Sequence, residues 1–156
     1  MTAHYTPPRR VVAGLDASGQ SCVVSDGPLP FRGNPDVMEV ANVWTAPVGP
    51  VDGKAPLAEG LAPFRMEQLA EPRCAMMYVE YAPGLGRSDP GMHHTDTADH
   101  FYVIEGEVVL VLDSGDVILK AGDIGICRGV RHGWRNDSPV LARMITFIMP
   151  ATGVYP

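Results

Sequence analysis

Cysteine is scarce in this chain: Cys22, Cys74 and Cys127 stand far apart, and no Cys-x-x-Cys pair occurs. That excludes a disulfide-stapled scaffold and a thiolate zinc site, and leaves free buried thiols as the expectation. Basic charge is also scarce, with 12 Lys and Arg against 18 Asp and Glu and a net charge of −6. The arginines are scattered, so the electrostatic footprint of a nucleic-acid binder is missing and no nucleic-acid partner is expected. No apolar run approaches the roughly 18 residues that cross a bilayer. The opening MTAHYTPPRR has none of the apolar character of a secretory signal. The expectation is a cytoplasmic protein with no membrane partner. Helical periodicity is almost absent. The best candidate, residues 62–69, places Phe64, Met66 and Leu69 among polar residues but begins beside Pro63.

Turn formers, by contrast, are plentiful: 17 Gly and 15 Pro in 156 residues, of which 46% are hydrophobic. This is the composition of one globular domain, residues 1–156, built from short strands. Strand patterns fall at residues 10–14, 21–25, 37–45, 74–81, 101–104, 108–112, 117–120, 124–127, 130–135 and 141–149. Turn residues such as Asp113-Ser-Gly and Asn136-Asp-Ser-Pro separate them. Short strands at this spacing predict an all-β sandwich or barrel. Residues 47–72 read differently, rich in Pro, Gly and Ala with little periodicity, as a long loop or arm. Residues 1–72 thus supply N-terminal strands and this arm, and residues 73–149 the core.

The candidate chemistry lies in two segments. His93, His94 and His100 share the stretch 91–100 with Asp96 and Asp99, and His132 follows in a second segment. Imidazole and carboxylate together are what a divalent transition metal requires, and two His with one carboxylate leave open positions for substrate. Strand parity restricts the set. If 101–104 is a strand, Asp99, Phe101 and Val103 share one face, and His100 and Tyr102 the other. One of Asp99 and His100 points inward, and one of His93 and His94. Trp134 shares the face of His132. Met76, Tyr78 and Glu80 share a face of the strand before the first segment. A Glu inside a barrel would act as acid or base, whereas a solvated Glu on the outer face is the expectation.

The stretch 91–106, followed by Gly122-Asp-Ile-Gly-Ile-Cys-Arg-Gly-Val-Arg-His-Gly-Trp-Arg-Asn136, resembles the two cupin motifs. Asp99 stands where the first motif has its Glu, six residues before Gly106. His132 and Asn136 keep the His-x-x-x-Asn spacing of the second. The flavour is similar to small single-domain bacterial and fungal cupins, most of them without an assigned reaction. The resemblance implies a double-stranded β-helix, or jelly-roll barrel, with an N-terminal strand extension and a site inside its open end. It also implies a metal set of His93 or His94, Asp99 and His132. The first motif's His-x-His pair is broken, so four ligands become three, and Arg128 replaces the second motif's Pro. The expected cofactor is a divalent transition metal (Fe, Zn, Mn or Ni), and the expected partner is a small organic molecule. The expected function is that of a metal-dependent enzyme of dioxygenase, decarboxylase, isomerase or dehydratase/cyclase type. The alternatives are metal-free acid–base catalysis by His132 and Asp99, and a non-catalytic ligand-binding module. A homodimer is expected, with residues 10–14 pairing across a two-fold axis.

Overall fold

The computed structural model describes residues 7–152, and their architecture is all-β. Eleven strands run in the order β1 (Arg9–Leu15), β2 (Ser21–Pro28), β3 (Arg32–Asn34), β4 (Met38–Pro47), β5 (Arg73–Tyr81), β6 (Thr97–Glu105), β7 (Glu107–Leu112), β8 (Gly115–Lys120), β9 (Ile124–Arg128), β10 (His132–Arg135) and β11 (Ala142–Pro150). All pairings are antiparallel. The main sheet is ordered β3-β4-β5-β11-β6-β9, and a smaller sheet is ordered β10-β7-β8. Neighbours far apart in sequence, such as β5 beside β11, are the crossovers that wind the chain into a jelly roll. The β1–β2 hairpin lies outside both sheets as an N-terminal extension. Its Arg10 guanidinium donates to the carbonyls of Asn42 and Val43. That is where β4 bulges against β5. The hairpin therefore satisfies carbonyls that the bulge takes out of the ladder.

Alternation along β11 defines inside and outside. Ala142, Met144, Thr146 and Ile148 are buried, while Phe147 and Met149 on the intervening face are exposed. The inner face joins Val40, Met77, Val79, Phe101, Val103 and Val108 into one core. A second, smaller cluster lies on the outer face of the main sheet, where Leu29 and Phe31 cover Ala41 and Tyr78. Val108, Val109 and Leu110, at the start of the run 108–112, are buried in β7, the central strand of the smaller sheet.

Several expectations change. The helix expected over 62–69 is a 3-10 turn at Met66–Ala70, with a separate short helix, α1, at Leu57–Gly60. Pro63 delays the start, and the segment is too short to sustain α-helical bonding. The strand expected at 130–135 begins at His132. β3 had no signal in its Arg-Gly-Asn sequence. Glu80 lies on the outer face as expected, but it is buried rather than solvated, paired with Arg143 at 3.1 Å. Arg143 also pairs with Glu105. Cys127 is buried, whereas Cys22 and Cys74 are partly exposed. No described helix is long and apolar enough to cross a membrane.

Candidate active site

The site is a cavity of about 150 Å³ between the two sheets, walled by Val79, Phe101, Trp134, Met144 and Ile148. Its polar groups are His93, Thr95, Thr97, Asp99, His132 and Thr146. A larger cavity of about 580 Å³ lies between the β1–β2 hairpin, β4 and residues 51–60, without a histidine.

Asp99 enters the cavity because β6 runs in unbroken register against β11 from Thr97 to Val103. The one irregularity, between Arg143 and Met144, comes after Asp99 and leaves its parity unaltered. Asp99 therefore lines the cavity, and His100 faces outward beside Phe147. His132 and Trp134 enter from β10, with the Trp134 ring edge-on to Phe101 and to His132. His93 forms a single β-bridge with His132, each N–H bonded to the other's carbonyl at 2.8 Å. This settles the choice left open between neighbours: His93, although exposed like His94, lines the cavity, while His94 lies outside its wall. Thr95 stands where a second motif histidine would fall, and it also lines the cavity.

The donors are oriented. His93 Nδ1 lies 2.7 Å from the Gly91 carbonyl, and His132 Nδ1 lies 2.9 Å from the Val130 carbonyl. A carbonyl only accepts, so each neutral ring carries its proton on Nδ1 and leaves an Nε2 lone pair. Thr97 donates to Asp99 Oδ1 at 2.6 Å, and Thr95 and Thr97 share a 2.6 Å hydroxyl–hydroxyl bond. Asp99 Oδ2 is left facing His132 Nε2 at 3.9 Å. That separation is too long for a hydrogen bond, and a reacting atom in front of the pair can lie within hydrogen-bond reach of both groups.

Burial lowers the pKa of His132, with His93 adding to that effect, while the Val130 carbonyl and Asp99 oppose it. The net direction favours neutral imidazole at neutral pH, the form that takes up a proton. Burial, assisted by Asp99, pushes the Cys127 thiol up to about 11. It therefore stays protonated and is no nucleophile. The Tyr81 phenol is pushed up for the same two reasons and remains a neutral donor.

Residues 77–148 match the cupin domain family. The chain carries a cupin domain over just under half of its length. Among curated proteins it is similar to phomopsin biosynthesis cluster protein C' of Diaporthe leptostromiformis, at 28% identity over 142 residues, covering 90% of this chain and 64% of that protein. It is also similar to the cupin-domain-containing oxidoreductase fogC of Aspergillus ruber, at 32% identity over 81 residues, covering 49% of this chain and 38% of that protein. The chain thus spans less than two thirds of the length of either relative. The Cnp3 cupin domain of Schizosaccharomyces pombe shares its fold, with a TM-score of 0.56 at 13% identity over 94% of this chain and 89% of that one.

Parts of this site carried no sequence signal. Phe64, Met66 and Leu69, from the arm at 47–72, form part of the cavity wall. Thr146 and Met144 of β11 lie outside both motifs, and the strand register brings them to the site. The motif residue Asn136 is buried outside the cavity. It donates to the carbonyls of Tyr81 and Val140 and holds the turn after β10.

Proposed function

We propose that this protein is an enzyme that moves a proton on a small, largely apolar organic molecule, in an isomerisation or dehydration. The observation that carries the reading is the facing pair Asp99 Oδ2 and His132 Nε2, 3.9 Å apart in an apolar cavity. His132, kept neutral by burial, takes a proton from the substrate at Nε2. Asp99, oriented by Thr97, stabilises the imidazolium that forms, and the same proton returns to a different substrate atom or to a departing hydroxyl. Phe64, Met66 and Leu69 restrict water at the wall. The curated relatives named as oxidoreductases support an enzymatic role without specifying this reaction.

A second reading is a divalent metal centre of Fe, Zn, Mn or Ni held by His93, Asp99 and His132. It is favoured by the Nδ1-to-carbonyl bonds of both rings, the arrangement typical of metal-ligating histidines. The donor chemistry fits. Even so, no three His, Cys, Asp or Glu side chains among the described residues are gathered into a cluster of ligand spacing. A bound ion would act as a Lewis acid on a substrate oxygen. Elemental analysis of protein prepared without chelators separates the readings. Near-stoichiometric metal that is lost in Asp99→Ala overturns the first. Less than about a tenth of an equivalent after reloading overturns the second.

We also propose a homodimer through the outer face of β11, β6 and β9. Ile145, Tyr102 and Ile124 form one cross-strand row there, and Phe147, His100 and Ile126 the next. Ile124 is 75% exposed, and His100 Nδ1 is buried without a partner. Arg128 at one end makes no ion pair among the described residues, while the other end sets Glu80 and Glu105 against one Arg143. A two-fold axis lying in the face across the strands brings each Arg128 to the partner's acidic end, which is why a second copy is the occupant. Light scattering at tens of micromolar should give a dimer that Ile126→Glu converts to monomer. A monomeric parent protein overturns this.

A further inference from the structure

Thr146 is a cavity group that neither the proton-transfer chemistry nor the metal reading uses. Thr146 lies in the middle of β11, flanked by Met77 on β5 and Phe101 on β6. It lines the cavity and is only 7% exposed. Its Oγ1 is buried and has no hydrogen-bond partner. A buried hydroxyl without a partner is destabilising, and native structures rarely retain one that serves nothing. Its surroundings are otherwise apolar: Met77, Phe101, Met144 and Ile148 offer no donor or acceptor stronger than a thioether.

Position gives the hydroxyl a use. In the β6–β11 ladder, Thr146 faces Phe101 and Asp99 faces Ile148, so Thr146 and Asp99 are diagonal neighbours on one face. Such neighbours stand about 7 Å apart. A ligand oxygen docked at Thr146 therefore leaves the rest of a small molecule over Asp99 and His132. The cavity volume is about 150 Å³. An apolar protein cavity of about that volume accommodates one benzene ring. The walls also suit a ring, since Phe101, Trp134 and Tyr81 present aromatic surface and the methionines adaptable contacts.

We propose that Thr146 is the substrate-orienting residue of this site, and that its ligand is a single-ring, largely apolar molecule whose hydroxyl or carbonyl oxygen docks on Thr146 Oγ1. The ring's other end then lies against both Asp99 and His132. This inference rests on the cavity being the substrate site, and it adds the class of substrate and the residue that aligns it. Thr146 touches no reacting atom. It fixes which ring atom meets His132.

The experiment uses phenol, toluene and 1-hexanol as probes, with affinities from calorimetry and with NMR observation of the His132 ring signals. In the parent protein, phenol should bind about fivefold to tenfold tighter than toluene, the value of one hydrogen bond in a dry site. 1-Hexanol should bind more weakly than phenol. Thr146→Val keeps the shape and removes the hydroxyl, so it should erase the preference for phenol while leaving toluene affinity unchanged. Thr146→Ser should restore the preference. Thr146→Val should melt no lower than the parent, since it deletes an unpartnered polar atom, and this separates a ligand role from a structural one. A phenol preference that survives Thr146→Val overturns the role of Thr146 alone, provided the probes still shift the His132 signals. Tighter binding of 1-hexanol than of phenol overturns the ring assignment. If no probe binds the parent protein or shifts His132, both this inference and the reading beneath it fall.

Discussion

Replacing Gln68 by Ala tests how the arm over the cavity is held. Gln68 and Asn42 form a reciprocal amide pair: Asn42 Nδ2 donates to Gln68 Oε1 at 2.8 Å, and Gln68 Nε2 donates to Asn42 Oδ1 at 2.8 Å. Asn42 is fully buried and Gln68 is 6% exposed. Gln68 Oε1 also accepts from the Arg65 amide, starting the 3-10 turn that carries Met66 and Leu69 to the cavity wall. Truncation removes Gln68 Nε2 and leaves Asn42 Oδ1 without its donor, while Asn42 Nδ2 keeps the Ala62 carbonyl. One orphaned buried acceptor costs about 1–3 kcal/mol, and the lost Arg65 bond adds about 1 kcal/mol. The expected loss is therefore about 3 kcal/mol. For a domain of this size, that lowers Tm by roughly 6–12 °C. The check is urea and thermal unfolding of Gln68→Ala, Asn42→Leu and the double variant Asn42→Leu/Gln68→Leu. Removing both polar partners leaves no orphan, so the double variant should lose less than the two singles summed, by 1 kcal/mol or more on the order expected of contacting groups. A Gln68→Ala loss below about 1 kcal/mol, or strict additivity, would refute the claim that this pair anchors the arm.

Other outcomes follow from the same geometry. By NMR titration, His132 should titrate below the usual imidazole value near 6.5; Asp99→Asn should move it further down and His93→Ala should move it up, because Asp99 favours and His93 disfavours the charged ring. The folded-state value is lowered, so the stability from neutral His132 is fully present above about pH 6.5 and is lost as pH falls from there towards the folded value. Unfolding curves that show no loss between pH 7 and pH 5 attributable to His132, judged against His132→Gln, would contradict this. Arg143→Met should destabilise by about 3–5 kcal/mol in chemical denaturation, since it strands the buried Glu80 opposite Glu39, whereas Glu105→Gln on the exposed arm of the network should change stability by under about 1 kcal/mol. Gly125→Ala should cost about 1–3 kcal/mol, because the added methyl would run into the Phe101 ring that walls the cavity.

Much of the architecture was written in local pattern. Period-two alternation and turn residues act over a few residues, so ten of the strands and the opposite facing of Asp99 and His100 were legible, and the family resemblance marked Asp99 as the inward one. The spacing of Asp99, Gly106, His132 and Asn136 carried the family resemblance for the same reason. Other features needed the third dimension. Whether His93 or His94 enters the cavity depends on one β-bridge to His132, a pairing between segments about forty residues apart, and no local pattern encodes it. Glu80 reads as an outer-face carboxylate, but its burial depends on Arg143 in a strand sixty-three residues later. The arm 47–72 lacks periodicity because side-chain amides and loop packing hold it rather than a ladder, so its place on the cavity wall could not be read from the chain. Thr146 was legible only as one residue of the strand expected over 141–149. That its hydroxyl lies unpartnered in an apolar cavity is a property of the assembled sheets, because only tertiary packing decides which polar atoms are left without a partner.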